Sequence, residues 1–177
     1  MKSSPSRVVA KSAAPSVPAW AADAMAKVFR DTPPPPAAGD TLAELAGARL
    51  EHVPWQVCLR AGSSAVRLGR VAVSGLDASA NVSVRRVAYT NVTRSSQNMT
   101  WHTDRIPGLY PDPLPPFAAL ELPPHTTQCL WLTAAVRADA PAGVHAGKVR
   151  LLGPGGAELA ALPVSLRVWP YTVSNIS

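Results

Sequence analysis

Proline sets the strongest limit on what this chain can fold into. Nineteen of its 177 residues are proline, clustered at Pro33 to Pro36, between Pro111 and Pro116, and at Pro123-Pro124. A proline ring fixes φ and removes the backbone N–H donor, so such clusters exclude helix interiors and central strands. Few of the windows left between them could hold a long helix, and all can hold strands.

In those windows apolar residues recur with period two, the spacing of a half-buried strand. In HVPWQVCLRA, Val53, Trp55, Val57 and Leu59 alternate with Pro54, Gln56, Cys58 and Arg60. Pro54 suggests an edge position or a strand beginning. In AVRLGRVAVSGL the frame slips at Gly69, and in NVSVRRVAYTNV at Arg85-Arg86, as β-bulges would require. QCLWLTAAV is apolar on both faces, as a central strand is, and ELAALPVSLRVW closes a C-terminal hairpin across GPGG. This makes roughly seven or eight short strands without βα alternation, which predicts an all-β antiparallel sandwich of immunoglobulin or fibronectin type. The expected layout is a disordered tail over 1–18, a short helix or docked segment with a Pro-rich spacer over 19–40, the sandwich over 41–170, and a linker to a further domain over 171–177. WAADAMAKVF supplies the helix candidate, with Trp20, Met25 and Val28 near one helical face.

The net charge of +6 raises a polyanion partner. The arginines are scattered, however, with Arg85-Arg86 the one adjacent pair, and a nucleic-acid footprint needs clustering on one face. The expectation is therefore base composition, and no nucleic-acid partner. No apolar run approaches the roughly 20 residues that span a bilayer, so no membrane partner is expected. Met1 to Pro18 lacks the apolar core of a secretory leader, and the chain reads as a piece of a longer product. Cys58 and Cys129 both lie in apolar strands, which favours two reduced core cysteines. The alternative is a bridge closing about 70 residues, worth on the order of 4 kcal/mol.

A reaction centre is hard to assemble from these residues. Glycoside hydrolysis needs two carboxylates flanking one bond, and the candidates Glu51, Asp104, Asp112 and Glu121 are dispersed. Asp112 between prolines reads as a turn cap, and Glu51 near Arg49 and Arg60 as an ion pair. His52, His102, His125 and His145 lack ligand spacing, so no metal and no cofactor is expected. Trp55 and Trp131 read as core, whereas Trp101, beside Thr100 and His102, is the best exposed platform for a sugar ring. Tyr110 and Asp112, on the long 103–116 loop, are candidate interface or glycan contacts. Asn81, Asn91 and Asn98 open Asn-X-Ser/Thr sequons, as does Asn175, and are candidate glycosylation sites that favour a secreted or extracellular location.

From Trp20 to Trp169 the order of motifs resembles the N-terminal β-sandwich domain of glycoside hydrolase family 123. The motifs are KVFRDTPPP, LAGARLEHVPWQVCLRAG, GLYPDPLPP, LWLTAAVRADAPAGVHAGKVRL and LPVSLRVW. The family's signature positions fall here on Arg49, Glu51 and Gln56, on Tyr110 to Leu114, on Trp131, and on Ala140 to Gly143. Arg137 stands where the family shows proline, and His145 where it shows an aromatic. The resemblance implies an accessory module preceding a catalytic (β/α)8 barrel that carries the catalytic carboxylates. The expectation is thus a non-enzymatic module whose partners are a C-terminal catalytic domain and carbohydrate. A stand-alone glycan-binding or adhesion domain is the alternative.

Overall fold

The computed structural model of the protein describes residues 17–39, 41–94 and 106–173. Their strands are, in chain order, β1 (Ala19–Ala22), β2 (Ala43–Arg49), β3 (His52–Arg60), β4 (Val66–Leu68), β5 (Arg70–Ser74), β6 (Ala80–Arg86), β7 (Tyr89–Val92), β8 (Gly108–Pro111), β9 (Leu120–Leu122), β10 (Thr127–Val136), β11 (Gly143–Leu152) and β12 (Glu158–Thr172). Two four-stranded sheets form, sheet A in the order β1-β3-β10-β6 and sheet B in the order β2-β12-β11-β5. Two-stranded ribbons β4–β9 and β7–β8 flank them. The fold is the all-β sandwich that the period-two pattern predicts.

The alternation decides which face turns inward. On β10, Leu130, Leu132, Ala134 and Val136 are buried, and Leu162, Val164, Leu166 and Val168 of β12 meet them from the opposite sheet in one core. Each large aliphatic so buried contributes roughly 1.5–3 kcal/mol, which makes this interior the dominant stabilising feature. The β11–β12 hairpin needs left-handed backbone at Gly155 (φ 75°) and Gly156 (φ 85°), which the GPGG sequence supplies without Cβ strain.

Several local expectations change. Trp20 lies on edge strand β1, opposite Cys58 of β3, not on a helix, because pairing with β3 satisfies its backbone where a helix a few residues long could not. One pair is parallel, β2 with β12, so sheet B is mixed. The frame slip at Gly69 is a change of partner: β4 pairs β9, while β5 pairs β11. The slip after Arg86 is the end of β6, after which Tyr89 begins β7. Pro54 lies in the central strand β3, beyond Gln56, where the pairing with β1 has ended, so no ladder bond is lost to that neighbour.

Segments that follow or contain the proline clusters also cover the sheet edges. The Gly39 N–H donates to Ala19 O at 2.7 Å and the Ala21 N–H to Thr41 Oγ1 at 2.9 Å, covering β1. On the other side the Arg86 N–H of β6 donates to Pro115 O at 3.0 Å. A covered edge no longer offers a row of unpaired groups to another chain.

Candidate functional site

The outer face of sheet A carries a second apolar layer. Trp20, Val28, Cys58, Val87 and Cys129 are buried together, with Leu114 and Trp131 packed against them. Residues 23–39 cross this face as a strap. Strand alternation alone would expose Gln56, Cys58 and Arg60 there; the strap covers Gln56 and Cys58 and leaves Arg60 half-buried.

Polar side chains of β3 and β10 hold the strap through its carbonyls. The Gln56 amide donates to Asp23 O at 2.9 Å, Ala24 O at 3.3 Å and Ala26 O at 2.8 Å. The Thr127 hydroxyl donates to Thr32 O at 2.6 Å, and the Arg60 guanidinium to Thr32 O at 3.2 Å and Thr127 Oγ1 at 3.0 Å. The Gln128 amide closes the layer on Val87 O at 2.6 Å and Cys129 O at 2.7 Å. A loop carbonyl taken out of water must find such a donor. Sequence reasoning missed this role for Gln56, Arg60, Thr127 and Gln128. The available signal was polar residues of fixed geometry interrupting strands that are otherwise apolar.

Cys58 and Cys129 are joined by a disulfide, where two reduced cysteines were the favoured expectation. They are direct partners across β3 and β10, with a Cα separation of 3.9 Å, the narrow spacing of a non-hydrogen-bonded antiparallel pair. Ladder register, which a sequence does not display, brings them together.

The β7–β8 ribbon locks the strap's far end. The Tyr89 hydroxyl donates to Val28 O at 3.2 Å, the Arg30 guanidinium lies 4.6 Å from the Tyr89 ring centre, and Phe29 meets Tyr110 edge-on at 5.4 Å. Burial raises the Tyr89 phenol above its ordinary range, against the opposing pull of the Arg30 charge. A folded-state pKa raised above about 10 gives stability that is present below that pH and is lost as pH climbs through the folded value. Tyr89→Phe is expected to cost about 1 kcal/mol at neutral pH through the lost hydrogen bond and to remove this alkaline loss. Denaturant melts of both proteins between pH 8 and 11 read the difference.

Between strap and ribbon lies a cavity of about 230 Å³ lined by residues that include Trp131, Gln56, Leu114, Lys27 and Asp112. Asp112 is its one acid among the described residues, is exposed, and has its backbone N–H tied to Ala88 O at 3.1 Å. Tyr110 is half-buried against Phe29 rather than presented outward. Trp55 is buried in the sandwich core, and Trp131 is half-buried beside the disulfide. Asn81 of β6 and Asn91 of β7 are exposed. Trp101, Asn98, Asp104, His102 and Asn175 lie outside the described residues.

Three other carboxylates, Glu51, Glu121 and Asp139, are engaged elsewhere. Glu51 is not in the ion pair expected with Arg49 and Arg60; its Oε2 accepts from the Ala48 N–H at 2.8 Å, while the Arg49 Nε–H goes to Ala140 O at 2.8 Å. Glu121 pairs with Arg67 at 2.7 Å. Asp139 accepts from the Arg137 guanidinium, which holds its carboxyl below the usual range. The Arg137 N–H also donates to Ser79 O at 2.9 Å. Among the described residues no three His, Cys, Asp or Glu side chains gather as a metal site.

Fold and site together define a two-sheet sandwich module with a strapped, disulfide-centred outer layer. Its likeness to known proteins is one of fold. The chain is similar to a family 123 glycoside hydrolase from Clostridium perfringens, described for glycolipid glycan hydrolysis, with TM-score 0.62 and 12% identity. The match covers 89% of this chain and 28% of that one. The N-terminal domain of PorA also aligns, over 86% of this chain and 98% of that one, at TM-score 0.32 and 10% identity. No family model matches the sequence, and no curated protein does.

Proposed function

We propose that this chain is a non-catalytic sandwich module of a carbohydrate-active protein, seated beside a catalytic domain that it does not itself contain. The observation that carries this reading is the proportion of the fold match: it takes in 89% of this chain and 28% of a glycoside hydrolase, the share a supporting module would have. The placement of the acids agrees with it. A retaining glycosidase sets two carboxyl groups about 5 Å apart and an inverting one under about 10 Å, whereas Asp112 is the one carboxylate that lines the cavity beside Trp131 among the described residues. Leu50, Tyr171 and Val173 are exposed where β12 leaves sheet B, and the Val173 N–H is tied to Arg49 O at 3.0 Å. They offer an apolar surface for the catalytic domain. The buried bridge suits an oxidising, extracellular compartment.

The purified chain, incubated with a chromogenic N-acetyl-β-hexosaminide, is expected to release no chromophore above buffer. Saturable release that disappears in Asp112→Asn would place a reaction centre in this sandwich and overturn the reading.

A further inference from the structure

The arginines that look scattered along the chain converge in the fold. On sheet B, Val149 and Leu151 of β11, Val164, Leu166 and Val168 of β12, and Val71 and Val73 of β5 pack on the core. Alternation therefore sends Arg70 of β5, Lys148 and Arg150 of β11, and Arg167 of β12 to the outer face. All four are exposed. The carboxylates on the strands of this sheet are Glu44, on the edge strand β2, and Glu158, at the start of β12. None of the four cations is within ion-pair distance of a carboxylate among the described residues.

The register turns these positions into a track. Arg70 lies opposite Leu152, two residues from Arg150; Arg150 lies between Ala72 and Ala161, and Lys148 between Ser74 and Pro163. Arg167 stands further along β12, between Val144 and Ala46, with its guanidinium 5.8 Å from the Trp169 ring centre. At about 3.3 Å per residue and about 4.8 Å per strand, the line from Arg70 to Arg167 runs roughly 28 Å diagonally across the sheet. The neighbours of Arg150 and Lys148 along that line are mostly small, and Leu152 beside Arg70 is buried.

We propose that this outer face of sheet B binds a linear anionic glycan carrying sulfate or carboxylate groups. The proposal names the ligand class of the carbohydrate module and so rests on that reading. Charge complementarity selects a polyanion. Trp169, 40% exposed at one end of the track, adds a flat ring of the kind that stacks on a pyranose face. A single-stranded nucleic acid calls for aromatic platforms along its path, whereas the exposed aromatics of β12, Trp169 and Tyr171, stand together at one end. A bilayer calls for apolar side chains interleaved with the cations along their length; here alanine, serine and proline flank Arg150 and Lys148, and the exposed Val144 stands at the Arg167 end.

The test uses the full chain and a heparin-derived octasaccharide, followed by calorimetry at 50 and 200 mM salt. Binding is expected, weakening on the order of 100-fold over that range if four anionic contacts release counterions much as nucleic-acid phosphates do. The double variant Lys148→Ala/Arg150→Ala should lose at least tenfold in affinity with an unchanged melting temperature. Arg137→Ala, away from this face, should bind as the parent does. An equal loss in Arg137→Ala would overturn the track. Binding to a neutral oligosaccharide, indifferent to the double variant, would overturn the anionic assignment and leave the carbohydrate reading standing. Binding to oligo-dT or to phosphatidylserine vesicles, with none to the octasaccharide, would overturn the glycan assignment, as would no binding to any probe. The chromogenic assay judges the module reading separately.

Discussion

Removing the bridge in Cys58→Ala/Cys129→Ala is expected to lower unfolding stability by about 4 kcal/mol, on the chain-entropy estimate for a closed loop of this size. The two cysteines are 71 residues apart in sequence, so the bond withdraws many conformations from the unfolded chain. In the folded state they are fully buried partners on β3 and β10, the two central strands of sheet A. Two alanines in their place leave a small void under Trp20 and Val28, which adds to the loss. Such a decrement is a large share of the 5–15 kcal/mol typical of a domain. Guanidinium unfolding with and without a phosphine reductant should show the reduced protein matching the double variant. The strap lies directly over the bridge, so limited proteolysis should cut within 23–39 first. A loss under about 1 kcal/mol would mean that the ladder and the Gln56 bonds to the strap hold this layer unaided.

The sandwich was legible because its information is local. Alternation in HVPWQVCLRA and LPVSLRVW says which side chains turn inward before any partner strand is known, and GPGG announces a hairpin by its backbone needs. What decides the outer layers is not local. Gln56 looks like the wet side of β3 until the strap closes over it. Cys58 meets Cys129 through register. Trp20 has a helix-compatible neighbourhood and becomes an edge strand because β3 offers it a ladder. The basic track was missed for the same reason: Arg70, Lys148, Arg150 and Arg167 are far apart in sequence and share a face through pairing alone. Tyr110, expected on a long loop, belongs instead to strand β8, where it pairs with Thr90 of β7 and turns toward Phe29, while Asp112 follows that strand and lines the cavity.

Gly75→Ala is expected to cost about 3 kcal/mol or more, a heavy loss for one methyl group. Gly75 has φ 84°, in the left-handed region, where an L side chain costs about 1–2 kcal/mol. The rest comes from space. A Cβ at Gly75 would lie 2.6 Å from Ala146 O and 2.9 Å from Gly147 Cα, and both are backbone of β11, which its two ladders hold in place. Gly147 makes the reciprocal approach, its Cβ position 2.6 Å from Ser74 O, so Gly147→Ala should be comparably costly. Gly62→Ala is the contrast: nothing lies within 4 Å of its Cβ and its φ is unexceptional, so it should be neutral or slightly stabilising through the unfolded chain. Thermal melts of the three variants rank these effects. The crossing also positions the outer face, because Lys148 follows Gly147 and pairs with Ser74. A Gly75→Ala protein that still folds must move β11 away from β5 to make room, and that displaces Lys148 from Arg70. It should therefore bind the octasaccharide less well even at temperatures where it is fully folded. Parent-like melting and parent-like affinity in that variant would mean that the end of β5 is free to shift and that the track does not depend on its register.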